Sequence, residues 1–277
     1  MKLIESKAEY IPQTDLYKHI ELCGRTAYKS EDKITEDSAK GFVDRMIKSK
    51  HGTVLEHGTV YLMAKVYFTN RDIIDLEAKY AINPYSKVVV ADGVIYITTN
   101  YRVIIENNWL DDMKYVSEPT EFHEKRYTIK FTGHIQFSKE ARTHRPDSFV
   151  VESTRYCNYI KGKFGTSVSF MIPSWLTPDI EEEFKADCEA LEKIYFKWIN
   201  KGYQPQQAAY FLCQGTKASV CMTGFASDWR FFFDLRYYGE TGKPHPDMEL
   251  LAGKAREEFI KAGIWEDIMS KPSKFDK

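Results

Sequence analysis

The sequence predicts one α+β domain, and three observations carry that prediction. Apolar residues alternate with polar ones from Gly58 to Phe68 (Val60, Leu62, Ala64, Val66, Phe68) and again through Tyr127–Phe137, the period-two pattern of a half-buried strand. Between and after these runs apolar residues recur at helical spacing, most clearly at Phe184, Cys188, Leu191, Tyr195 and Trp198. No internal repeat, low-complexity tract or linker divides the 277 residues, so one unit spanning 1–277 is the simplest account.

Taken in order, residues 15–24 and 35–49 read as amphipathic helices. In the second, Phe42, Val43, Met46 and Ile47 share a face and Thr35 is the expected N-cap. After the 58–68 strand, residues 71–82 suit a helix that stops before Asn83-Pro84, since a residue preceding proline is pushed out of the helical region. Strands at Val88–Val90 and Val94–Thr98 are joined by the turn dipeptide Asp92-Gly93. Tyr101–Asn107 reads as a short helix, 127–137 as a strand, 139–145 as a helix ended by Pro146, and 147–160 as irregular. The helix at 180–200 is followed by helices near 204–213, 227–236 and 246–262, with a short strand at 217–223.

Composition excludes several classes. With 39 basic and 40 acidic residues the net charge is −1, so no global field draws nucleic acid or an anionic membrane, and an anionic ligand must be held by a local cluster. No window approaches the ~18 apolar residues a membrane helix needs, and the charged start is no signal peptide. Five cysteines without C-x-x-C spacing argue against a disulfide framework and a cysteine zinc site, so the chain reads as cytoplasmic. His51, Glu56 and His57 lack a third ligand of fixed spacing, so no metal is expected; His57 reads as a packed histidine. The aromatic share of 14% reads first as core, second as pocket lining.

Chemistry concentrates in two adjoining segments. Arg142-Thr143-His144-Arg145 packs three basic or potentially basic side chains into four positions, and Glu152-Ser153-Thr154-Arg155-Tyr156 adds another arginine beside two hydroxyls. Adjacent cations repel and need an anion to offset them; the planar fork of arginine suits phosphate, with hydroxyls and free N–H groups completing the site. The competing reading is a surface helix end whose partners are Glu140, Asp147 and Glu152. Ser153 has only Glu152 beside it to activate it, so it reads as a hydrogen-bonder rather than a nucleophile. Phe231-Phe232-Phe233 reads as core, because only one or two can share a helix face, and Tyr156 and Tyr159 as packing.

The run Thr143-His144-Arg145-Pro146-Asp147-Ser148, continuing to Ser153-Thr154-Arg155-Tyr156, resembles the R-H-R-x-x-S…S-x-R-Y signature of the flavin-dependent thymidylate synthases, matching six of seven named positions at the right spacing. Arg25-Thr26-Ala27-Tyr28-Lys29-Ser30, His51 to His57, and Ser227 to Arg236 followed by His245-Pro246 resemble further segments, so the likeness covers most of the chain. The interval 70–125 looks like a family-variable insertion. The resemblance implies a mixed, largely antiparallel sheet flanked by helices, and a homotetramer with shared active sites. It implies reductive methylation of dUMP to dTMP with FAD as cofactor and NADPH and 5,10-methylenetetrahydrofolate as co-substrates. By the same resemblance Arg236 is the catalytic arginine facing the pyrimidine. Glu140, Arg142, Glu152, Ser153, Thr154 and Arg155 fall on or beside nucleotide-binding positions, and His51, Thr53, Thr143, His144 and Arg145 on cofactor positions.

The match departs at Thr143 (for the first Arg), Val151, Ala209, Phe225, Ser227 and Phe231, each replacing a polar family residue. Hydrogen bonds to charged groups are worth roughly 1.5–3 kcal/mol each. Three accounts stand open: Arg142, Lys217 or Arg230 substitutes; another uridine nucleotide is the acceptor; or the chain is a flavin- or nucleotide-binding paralogue with little synthase activity.

Overall fold

A computed structural model describes residues 1–65, 71–145, 147–153 and 167–276. In chain order its elements are β1 (Lys2–Ile4), β2 (Lys7–Tyr10), α1 (Leu16–Tyr28), α2 (Ser38–Lys48), α3 (Gly52–Leu55), β3 (Thr59–Lys65), α4 (Arg71–Ala81), β4 (Lys87–Ala91), β5 (Val94–Asn100) and α5 (Tyr101–Glu106). There follow β6 (Arg126–His134), α6 (Ile135–Ala141), β7 (Ser148–Val151), β8 (Ser169–Met171), α7 (Glu181–Asn200), α8 (Pro205–Ala208), β9 (Lys217–Phe225), α9 (Ala226–Phe233), α10 (Pro246–Lys261) and α11 (Trp265–Met269).

The fold is α+β, with largely antiparallel sheets flanked by helices. The central sheet runs β2-β6-β9-β7, antiparallel throughout; its long pair sets Arg126 opposite Phe225 and His134 opposite Lys217. A second antiparallel sheet, β3-β5-β4, contains the Asp92-Gly93 turn, where both residues have positive φ. Among the described strands only β1 and β8 pair in parallel. One core lies where α1 and α2 meet β3 and β5, around Ile20, Phe42, Leu62 and Ile97. Another lies where α9 and α10 cover β6 and β9, around Phe131, Trp229, Phe232 and Leu251. The stripe foreseen on α7 packs on β8, with Cys188 and Tyr195 buried and Phe184, Leu191 and Trp198 partly buried.

Several local expectations are corrected. The 127–137 strand ends at His134, whose Nδ1 accepts the Phe137 N–H at 3.0 Å and so caps α6 four residues earlier than expected. Ile135 and Phe137 fit a strand or a helix equally, and histidine is not among the favoured caps. Ser148–Val151, read as irregular, is a strand because β9 offers a partner distant in sequence; β1 and β2 likewise arise from nonlocal pairing. The N-cap of α2 is Asp37 rather than Thr35. The helix expected near 204–213 is one turn of α-helix followed by a 3-10 turn at Ala209–Phe211. Val66, Phe68, Pro146, Thr154, Arg155, Tyr156, Cys157 and Tyr159 lie outside the described residues.

Candidate functional site

Strand β6 feeds α6, which ends in the Thr143-His144-Arg145 turn, and the chain returns as β7 beside β9. Strand β9 leads into α9, which converts to a π-helical turn at Asp234–Tyr238 closed by Gly239 at φ 72°. Such widened turns re-aim side chains and are frequent at functional sites. Here the turn carries Arg236 over the end of α6. Two segments more than 90 residues apart thus meet on one guanidinium. Arg236 donates from Nε to His144 Nε2 at 2.8 Å, from Nη1 to Glu140 Oε1 at 2.6 Å, and from Nη2 to Thr143 Oγ1 at 3.0 Å.

His144 is buried, and its ring packs edge-on against Phe231 and Phe232, with centroids 6.0 and 5.1 Å away. Burial, then the charges of Arg236 and Lys274, push its pKa down to about 3. The ring is therefore neutral and accepts from Arg236 instead of repelling it. With Nε2 accepting, the proton belongs on Nδ1, and that buried N–H has no partner among the described residues. Phe231 is in turn covered by the C-terminal tail: Phe275 stacks on it at 6.1 Å, and Lys274 Nζ sits 3.9 Å from its ring centroid. Nothing in the sequence pointed to Lys274 and Phe275. Phe232 and Phe233 are fully buried, as core residues.

The other expected residues divide. Arg142 is exposed and turns only its Nε back, to the Ser138 carbonyl at 3.0 Å; Arg145 is exposed. Glu152 is buried, ion-pairs with Lys217 and accepts the Ser219 N–H at 3.1 Å. Ser153 donates its backbone N–H to Ala27 O at 2.9 Å, which joins the signature to the early Arg25–Ser30 segment. Arg25 itself is structural: it donates twice to buried Glu21 and once to the Ser30 carbonyl. His51 and Thr53 are exposed at the start of α3, outside the Arg236 cluster's contacts. His57 is a packed histidine, its Nδ1 2.7 Å from Thr223 Oγ1. Of the cations that could replace the lost ligands, Lys217 is held by Glu152, while Arg230 is held by Asp234 and the Met269 carbonyl. Arg142 keeps its Nη groups clear of any described protein acceptor.

Two clefts of about 350 and 340 Å³ lie away from Arg236 and His144. Among the described residues no cluster of three His, Cys, Asp or Glu could hold a metal, and no helix is long and apolar enough to cross a membrane.

The α+β fold and the motif segments gathered on Arg236 define the class, and comparison with known proteins gives the family. The chain belongs to the thymidylate synthase complementing protein family, whose model matches residues 97–262, more than half of its length. No curated protein matches it. Among solved structures it resembles a UMP/dUMP methylase, PolB, from Streptomyces cacaoi. The form bound with 5-Br dUMP is 14% identical over 98% of this chain and 97% of that one; the form bound with 5-Br UMP is 13% identical over 97% and 96%. Each gives a TM-score of 0.48.

Proposed function

We infer that this chain is a uridine-nucleotide methylase of the flavin-dependent thymidylate synthase type, methylating dUMP at C5 with methylenetetrahydrofolate and NADPH as co-substrates. The observation that carries the reading is the convergence of Glu140, Thr143 and His144 on Arg236, in a chain of this family.

Methylation at C5 needs electron density on that carbon. A fixed guanidinium beside the pyrimidine favours the anionic ring, and donors held in place before reaction are worth several kcal/mol in a dry site. In the present arrangement Glu140 takes the place of that anion; substrate binding exchanges one carboxylate for the ring. Neutral His144 and Thr143 keep the guanidinium aimed throughout. The donor set fits FAD: exposed Arg145 at the turn suits a diphosphate, Arg142 beside it is assigned to the nucleotide, and the buried Nδ1–H of His144, without a partner among the described residues, is a donor for a ligand oxygen. Bound FAD supplies the redox chemistry. Glu152, Ser153, Thr154 and Arg155 are assigned to the nucleotide, and His51 and Thr53 to the cofactor side. A cytoplasmic homotetramer with shared sites completes the reading.

The test is direct. The purified protein is expected to be yellow, to bleach with NADPH, and to release tritium from dUMP labelled at C5. Arg236→Ala should abolish release while flavin stays bound; release at the wild-type rate overturns the role of Arg236. A second reading, a flavin- or nucleotide-binding relative with little turnover, is favoured by the commitment of Lys217 and Arg230 to protein partners. Bound flavin without tritium release would select it. Release from labelled UMP rather than dUMP would change the acceptor and keep the chemistry.

A further inference from the structure

After α11 the segment 270–276 turns back onto α9, beyond the residues 97–262 that the family model matches. Its anchor is Ser273, whose Oγ donates to Asp234 Oδ2 at 2.6 Å. The Phe275 N–H donates to the same Oγ at 3.1 Å, and the Ser273 N–H to Asp276 Oδ2 at 2.9 Å. Asp234 is buried and opens the π-helical turn that carries Arg236, so one carboxylate fixes both the tail and that turn. Phe275 then stacks on Phe231 with the ring planes 15° apart, and Lys274 lays its ammonium over the same ring, 3.9 Å from the centroid. Phe231 is the ring that packs edge-on against His144, and it stands at one of the positions where this chain lacks a polar residue of the family.

Lys274 is exposed, and no carboxylate among the described residues pairs with it. The acids of this neighbourhood are engaged elsewhere. Glu140 pairs with Arg236, Asp234 accepts from Arg230 and Ser273, and Asp276 accepts the Ser273 N–H. Asp147 is pushed towards its uncharged form by burial and then by Asp228. After burial and Arg236, the charge of Lys274 also lowers the His144 pKa, and it acts on Asp147 as well, so the ammonium stands at the His144 end of the site. Exposed Arg142 and Arg145 add two more cations on the adjoining turn. Cations gathered without matching carboxylates suit an anion that comes from outside the chain. The contact with Phe231 holds the ammonium in place and leaves its three N–H donors for such an anion.

We propose that Lys274 is an anion-binding residue of the Arg236 site and takes a phosphate group of the ligand held there. A compact ammonium meets phosphate oxygens as a point charge. It supplies a cation where Lys217 and Arg230, both committed to protein carboxylates, do not. That the phosphate belongs to a nucleotide or to FAD rests on the methylase reading; the anion chemistry does not.

FAD, followed by flavin fluorescence, and dUMP, followed by calorimetry, are titrated separately into the full chain and into Lys274→Met, which keeps an apolar stem over Phe231. Lys274→Met should weaken at least one of the two about tenfold, the loss expected for one charge-assisted hydrogen bond, and the one weakened identifies the source of the phosphate. Riboflavin and deoxyuridine, which lack phosphate, should bind both proteins within about twofold. Lys274→Arg keeps the charge and the ring contact and should stay within about threefold of wild type. Unchanged affinity for both FAD and dUMP in Lys274→Met, or an equal loss for riboflavin or deoxyuridine, would overturn the role of Lys274 and leave the methylase reading standing. If neither FAD nor dUMP binds the wild type, the methylase reading fails instead, and inorganic pyrophosphate decides the role of Lys274. It should then raise the Tm of the wild type and not that of Lys274→Met; equal shifts, or none in either, overturn the assignment.

Discussion

Arg126 and Arg236 carry the same charge at opposite ends of the β6–α6 unit, in opposite settings. Arg126 is buried at the first residue of β6, where it donates to the Glu56 carbonyl at 3.0 Å, Thr59 Oγ1 at 3.4 Å and Ser148 Oγ at 3.1 Å, under the Phe225 ring. The carboxylates near it, Glu56, Asp228 and Asp147, act through space, and Nε has no partner among the described residues. Arg236 is partly exposed and spends its donors on one carboxylate, one hydroxyl and one imidazole. A charge tied to backbone and hydroxyls from three segments holds a fold together. A charge held by side chains on a surface turn can change partners without unfolding anything.

That contrast is most exposed by removing the buried charge. Arg126→Ala would leave the Glu56 carbonyl, Thr59 and Ser148 without their donor and would remove a buried cation that acts on Asp147 and Asp228 beside Lys274 and Lys87. Taking one member from a buried charge cluster costs about 3–5 kcal/mol. Urea denaturation should show that loss, and one below about 1 kcal/mol would mean that Arg126 is not what organises β6 against β3 and β7.

Gly224 sharpens the same point. A Cβ there would lie 1.9 Å from Asp147 Oδ1 and 3.1 Å from its Cγ, so Asp147 occupies the space that a side chain would need. Burial, then the charge of Asp228, raises the Asp147 pKa well above the ordinary carboxylate value, which fits a carboxyl pressed into the interior. Gly224→Ala should destabilise by about 1–3 kcal/mol through overpacking. In an Asp147→Ala background the same change should cost less than about 0.5 kcal/mol. Equal penalties in both backgrounds would show that the obstacle is the backbone.

On the Arg236 side the corresponding probe is acid. His144 titrates near 6.5 when unfolded and at about 3 when folded. A histidine with a lowered folded pKa lends stability that is complete above 6.5 and declines as pH falls from there towards 3, since only the unfolded chain takes up the proton. Between pH 6 and 5 the wild type should lose up to about 1.4 kcal/mol that His144→Phe does not lose. His19, lowered to about 4 by burial and then Arg126, contributes to both proteins and cancels in the difference. Parallel pH profiles would mean that His144 is solvated.

How much of this was legible follows from the range of each interaction. The α7 stripe and the Asp92-Gly93 hairpin were readable because period and turn chemistry are local. Strand β7 and the N-terminal strands were not, since their hydrogen bonds come from β9, β6 and β8, far along the chain. At the site, Thr143, His144 and Arg236 were named from motif resemblance, but no spacing rule could place Arg236 on Glu140 across 96 residues. The tail residues Lys274 and Phe275 and the buried Arg126 carried no local signature, because each acquires its meaning from partners brought in by the fold.

The smallest effect is the most telling for the comparison. Arg236→Ala removes three hydrogen bonds, one of them an ion pair with Glu140 whose side chains are 20% and 25% exposed. Partly solvated pairs contribute little, typically about 0–1 kcal/mol, because water takes over either charge. His144 is neutral at pH 7 with or without the guanidinium, so the rise in its pKa on losing that charge adds nothing to stability there. Urea denaturation at pH 7 should therefore find less than about 1 kcal/mol of destabilisation, beside the 3–5 kcal/mol expected for Arg126→Ala. A loss as large as that of Arg126 would make Arg236 a structural clamp, and its position at the end of α6 would then be explained by folding alone.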